Sequence, residues 1–150
     1  MALSTYAVKY RHDYRNVEGT QFRLEILKDG YSGDVISLTG QPEPCSIEWN
    51  GNDRIETPLV GSIASINLFQ MEDQDLSELY TSDLKEFYVK LSYYDTSAYQ
   101  LYWKGFIIQD EYVQSITSDP SPINIKATDG IGSLGEISVD DIIGADENVT

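Results

Sequence analysis

Cysteine, histidine and positive charge are all scarce in this sequence. Cys45 is the only cysteine, so an internal disulfide and a cysteine-based metal cluster are excluded. The same scarcity points to a reducing compartment, or to a particle assembled in one. His12 is the only histidine, and a Ser-His-Asp triad would have to use it. It stands between Arg11 and Asp13 with no nucleophile signature around any serine, and reads as a surface or interface residue. Cys45 could act as a nucleophile only with His12 as its base. It follows Pro44 at an apolar-facing strand position and reads as buried packing. Ten lysines and arginines stand against 25 acids, for a net charge of −15. Such a surface repels phosphates and anionic lipid, which argues against holding DNA through basic contacts. Apolar runs are short everywhere, so no segment has the length of a membrane span and no membrane anchor is expected. The opening stretch MALSTYAVKYRHDYRN lacks an apolar core of signal-peptide length, so the expectation is a soluble chain outside the general secretory route.

What is present is a globular composition rich in β-formers. Hydrophobic residues make up 41% and tyrosine alone contributes 11, which suits a packed core in one domain. Period-two alternation recurs at Tyr6–Tyr10, Phe22–Ile26, Cys45–Trp49, Ala64–Leu68, Phe87–Tyr93, Tyr99–Trp103 and Ile123–Ala127. Asp29-Gly30 is a hairpin signal that predicts a return strand over Tyr31–Leu38, with a bulge at Gly33. Gln41-Pro42-Glu43-Pro44 predicts a break into an extended connection. Asp75–Tyr80 places Leu76, Leu79 and Tyr80 on one helical face. The expectation is an all-β fold with one short helix, an antiparallel β-barrel or sandwich. It forms a single domain over residues 1–137, followed by an acidic tail or linker over 138–150. Charge divides unevenly. Residues 1–30 carry five basic and four acidic groups, and the rest carries five basic and 21 acidic, which suggests two surfaces with different partners.

Four constellations invite a chemical reading. Gly130, Gly132 and Gly135 match G-x-G-x-x-G after a strand. A dinucleotide site also needs a helix, a second parallel strand and an acid about 20 positions on. Here Asp129 precedes the first glycine, Glu136, Asp140 and Asp141 follow, and no base lies nearby, so the glycines read as turn formers. Asp73, Asp75 and Ser77 have the spacing of a calcium-loop start, but Glu78 holds the glycine position and Leu84 the closing position, so the match fails. Asp110-Glu111 is a carboxylate pair of the kind expected by chance among 25 acids. Tyr88, Tyr93, Tyr94, Tyr99, Tyr102, Trp103 and Tyr112 could line a sugar-binding face, although exposed aromatic faces more often meet protein. No catalytic residue, metal ligand or cofactor is expected.

The order of several short motifs resembles the first domain of phage tail hub proteins of the baseplate, most closely those of phages infecting Bacteroidetes-type hosts. The motifs are Asp53-Arg54-Ile55, Pro58-Leu59-Val60-Gly61-Ser62, Leu79-Tyr80-Thr81-Ser82-Asp83, Leu101-Tyr102-Trp103-Lys104-Gly105 and Ile125-Lys126-Ala127-Thr128-Asp129-Gly130-Ile131-Gly132. They cover residues 47–137. The resemblance implies a tail-tube-like β-barrel and a homo-oligomeric ring around a DNA channel. It implies neighbours among tube, distal tail, spike or fibre proteins, and no catalysis. Trp103, Gly105, Asp129, Gly130 and Gly132 are then architectural. Family members carry two such domains per chain and close as trimers. A chain with room for one is a portion of a longer protein or needs six copies. Carboxylates lining the channel would let DNA pass without sticking, and Glu72, Asp73, Asp75 and Glu78 are the acids expected there. A distal tail or adaptor ring and a carbohydrate-binding module are the alternatives.

Overall fold

The computed structural model describes residues 5–50, 61–83, 85–115 and 118–131. Eight strands form there: β1 (Tyr6–Arg15), β2 (Gln21–Asp29), β3 (Ile36–Ser37), β4 (Thr39–Asn50), β5 (Gly61–Gln70), β6 (Phe87–Asp95), β7 (Ala98–Gln114) and β8 (Ser121–Thr128). They make one sheet in the order β3-β1-β2-β6-β7-β8-β5-β4. Every ladder is antiparallel except the short β1/β3 pair, so the sheet is mixed. Its two edge strands, β3 and β4, are separated in sequence by Leu38 alone. The sheet therefore has to curl until its edges approach. The all-β expectation holds, but closure does not. Among the described residues no ladder joins β4 to β1, so this is an open curled sheet and neither a closed barrel nor a two-sheet sandwich.

Alternation places the core. Along β5, Ala64, Ile66 and Leu68 are fully buried, and along β8 Ile123, Ile125 and Ala127 match them. Leu24 and Ile26 of β2, with Phe87, Val89 and Leu91 of β6, complete the same interior cluster. Period-two side chains point to one side of a strand, so the inner face is apolar from β1 to β5.

Four local expectations are corrected. The return strand over Tyr31–Leu38 shrinks to Ile36–Ser37 and pairs parallel with β1. The physical reason is occupancy, since β2 already has β1 on one edge and β6 on the other. Gly30, at φ +71°, ends the strand without folding it back. Gly33, instead of forming a bulge, lies against the Tyr31 ring. The break at Pro42 and Pro44 is absorbed within β4 as a register shift between Gly40 and Cys45. Proline is tolerated there because the other edge of β4 is free and needs no N–H donor. The helical face at Leu76, Leu79 and Tyr80 is a single 3₁₀ turn over Ser77–Leu79. It buries both leucines and leaves Tyr80 exposed.

In β7 the register shifts where Leu91 faces Trp103 but Ser92 faces Leu101. Tyr102 is the extra residue, and the bulge re-aims its neighbours. The expected Tyr99–Leu101–Trp103 face is thereby split, with Trp103 buried and Leu101 and Tyr102 both about half exposed. Leu84, Gly132, Gly135, the 53–55 and 58–60 motif segments and the 138–150 tail lie outside the described residues.

Candidate functional site

The residues singled out around the glycine motif converge at the seam between β7 and β8. The buried Trp103 indole Nε1–H donates to Ser62 Oγ at 2.8 Å. Ser62 Oγ donates in turn to Asp129 Oδ2 at 2.5 Å, and the Ser62 N–H donates to the same oxygen at 3.0 Å. Asp129 Oδ1 accepts the Ile131 N–H at 3.0 Å. The carboxylate therefore fastens the turn after β8 onto β5, and the indole closes the chain of donors. A Cβ at Gly105 would overlap the Thr128 carbonyl and stand 2.5 Å from Trp103 Cη2. Glycine is required here because two backbones and an indole meet. Gly130 takes φ +78° to make the turn. The side-chain donors of Trp103 and Ser62 are both used within this knot, which makes it a fastening.

A surface groove opens beside the knot, between the end of β1 and the free edge of β4. It has a volume of about 490 Å³ and is walled by Tyr14, Phe22, Pro44, Cys45, Ile47 and Tyr102. Past Trp49 and Tyr102 it continues into a second hollow of about 470 Å³ that reaches Ser62, Trp103 and Asp129. Trp49, 59% exposed, and Tyr102, 55% exposed, stand at the junction. Of the aromatics expected on one sugar-binding face, Trp103 is buried, Tyr88 packs with Tyr6 and Phe106, and Tyr112 packs with Tyr80. They do not assemble on one face. Trp49 was missed because position 49 continues the alternation of β4, and only the open sheet edge leaves it in solvent.

His12 and Cys45 are placed by packing. His12 Nδ1 donates to the Leu38 carbonyl at 3.0 Å, and its ring stacks on Tyr14. Burial, helped by Glu43, pushes the Cys45 thiol up to about 12. A thiol held protonated is a weak nucleophile. The side chains of Asp110 and Glu111 lie outside the described residues.

The four acids expected along a channel separate into two kinds. Glu72, Asp73 and Asp75 are exposed. Asp75 accepts the Ser77 N–H at 2.9 Å, and hydrogen bonds from Ser77 hold its carboxyl below the usual range. Glu78 instead turns onto β1 and β2. Lys9 Nζ lies 2.5 Å from its Oε1 and Lys28 Nζ 3.1 Å from its Oε2, and the Tyr10 hydroxyl also donates to it. Burial pushes the Glu78 carboxyl up, but Lys9, Tyr10 and Lys28 outweigh it and hold the group below its ordinary value. Glu78 clamps the 3₁₀ turn to the sheet, and its charge is neutralised in place. Among the described residues no group of three or more His, Cys, Asp or Glu could hold a metal ion, and no helix is long and apolar enough to cross a membrane.

Comparison with protein-family models, with characterised proteins and with solved structures returns no match to this chain.

Proposed function

We propose that this chain is a structural subunit of a bacteriophage tail, a baseplate or tail hub component that assembles in the host cytoplasm into a ring around the DNA channel. The observation that supports the reading best is the knot of Trp103, Ser62, Asp129, Gly105 and Gly130. Five of the motif residues, drawn from three of the segments that carry the resemblance, meet at one point as fastenings. The open curled sheet adds to it. A wall with unclosed edges and exposed apolar side chains at Trp49, Leu101 and Tyr102 is suited to completion by neighbours. On this reading Glu72, Asp73 and Asp75 face the channel, DNA passes without being specifically bound, and Glu78 leaves the set because two lysines occupy it. A distal tail or adaptor ring of similar architecture would use the same features. Other tail proteins are the expected partners.

The groove between Trp49 and Tyr102 favours a second reading, a carbohydrate-binding module that stacks sugar rings on these two aromatics. Native mass spectrometry of the chain separates the two. A closed trimer or hexamer is the expected result. A monomer that retains oligosaccharides on a glycan array, and loses them in Trp49→Ala, would replace the tail reading with the module.

A further inference from the structure

We propose that the outer face of β1, β2, β6 and β7 is the docking surface for the free edge strand β4 of a second copy of this chain. The inference rests on the ring-forming reading above and names the contact that would build the ring.

The few positive charges are unevenly placed. On three consecutive rungs of that face stand Arg11, Arg15, Arg23, Lys90 and Lys104, half of the ten basic residues in the chain. Only Asp13 and Glu25 oppose them there. Register fixes their common side: Arg11 faces Glu25, Glu25 faces Lys90, and Lys90 faces Lys104, while Leu24 and Ile26 on the intervening positions fill the core. A chain with net charge −15 thus carries one face with a local excess of three positive charges, and everything else on it is more acidic still.

This face is not balanced from within. Glu25 is shared between Arg11 at 2.9 Å and Lys90 at 3.6 Å. Lys90 and Lys104 are direct cross-strand neighbours of like charge, an arrangement that destabilises a sheet. Among the described residues no ion pair engages Lys104 or Arg15, and both are exposed. Arg11 Nε is buried without an acceptor. Solubility would be served as well by more acids, so it does not account for like charges set opposite one another.

β4 has the complementary chemistry. It is an edge strand with an unpaired side, and such edges require cover. It exposes Glu43 and Glu48 with no ion pair among the described residues. Opposite charges steer the encounter and fix the register. The two surfaces differ, so the contact is heterologous and propagates from copy to copy until it closes.

The test is native mass spectrometry of the full chain and of two charge reversals, Arg15→Glu with Lys104→Glu, and Glu43→Lys with Glu48→Lys, each checked for an unchanged melting transition. Each reversal alone is expected to weaken assembly roughly tenfold or more, and mixing the two is expected to restore mixed oligomers. Salt gives a measurement independent of the variants, with wild-type oligomers expected to dissociate as ionic strength rises from about 0.05 to about 0.5 M. Oligomers indifferent to salt and to both reversals overturn this contact while leaving the ring reading intact. A wild-type chain that stays monomeric at every concentration overturns the ring reading itself. Salt-sensitive binding of a DNA duplex that is lost with Arg15→Glu and Lys104→Glu would assign the face to nucleic acid instead.

Discussion

The two halves of the curled sheet share an interior and differ outside. From β1 through β2 and β6 to β7, the outer rungs are ionic: Arg11–Glu25–Lys90–Lys104, then Asp13–Arg23, where the guanidinium grips the carboxylate at 2.8 Å and lies 4.0 Å over the Tyr99 ring. From β8 through β5 to β4 they are mostly neutral. Ser46 faces Ser65, Asn67 faces Asn124, and the Asn67 amide donates to the Glu43 carbonyl at 2.9 Å. Inside, both halves are apolar, aliphatic along β5 and β8 and mixed with Tyr10, Phe87 and Trp103 along β1, β6 and β7. The difference shows that hydrophobic periodicity builds a sheet without regard to what its other side does, so the outer faces were free to diverge. The Trp103–Ser62–Asp129 knot sits at the seam between these halves.

If the interior is one core, truncations on the two sides should cost alike. Phe87→Ala in the ionic half is expected to lose about 3–5 kcal/mol and Ile66→Ala in the neutral half about 2–5 kcal/mol. Denaturant unfolding followed by both tryptophan fluorescence and far-ultraviolet dichroism should give coincident transitions. Separate transitions would mean two cores and break the comparison at its root.

Next in size is the seam. Gly105→Ala drives a methyl group into the Thr128 carbonyl and the Trp103 ring, and should cost about 1–3 kcal/mol. Trp103→Phe removes the donor to Ser62 Oγ and should cost about 1–2 kcal/mol. Thermal melts measure both, and a wild-type melting temperature for Gly105→Ala would show that the strands are not in this close contact.

The outer rungs should respond over a range that reaches lower, and unequally. Glu25→Gln leaves Arg11 and Lys90 without their carboxylate and is expected to cost about 1–3 kcal/mol, whereas Asn67→Ala should cost about 0.5–1.5 kcal/mol. Repeating both melts at high salt sharpens the contrast, because only the ionic half should lose stability to screening.

The smallest effect is a pH dependence. The folded Glu78 carboxyl is held below its ordinary value of 4.5. Its contribution is therefore fully present above about 4.5 and is lost as pH falls through the lower folded value. Stability measured from pH 6 down to about 3 should fall less steeply in Glu78→Gln than in wild type. Parallel slopes would show that the lysine clamp is not formed in solution.

Much of the fold was legible in the chain. Alternation at Phe22–Ile26, Ala64–Leu68, Phe87–Leu91 and Ile123–Ala127 marks strands whose apolar positions are buried, or in Phe22 partly buried against the core, because a period of two and the need to bury one face leave few choices. The all-β class followed from the same kind of local reasoning. The site was legible only in part. Trp103, Gly105, Asp129 and Gly130 stand out in the sequence, but only the fold shows that Ser62, 41 residues from Trp103, supplies the hydroxyl that joins them.

What the sequence determined by itself is therefore most of the strands, the inward faces of β2, β5, β6 and β8, and the turn at Gly130, since each depends on neighbours a few residues away. Tertiary structure alone decided the rest. Occupied edges on β2 turned an expected hairpin into the two-residue parallel β3, and a bulge at Tyr102 sent Leu101 outward. The fold also left β4 unpaired, with Trp49 in solvent, and gathered half of the positive charge on one face. Each of these depends on which strand lies beside which, and pairing between strands distant in the chain leaves no trace in local periodicity.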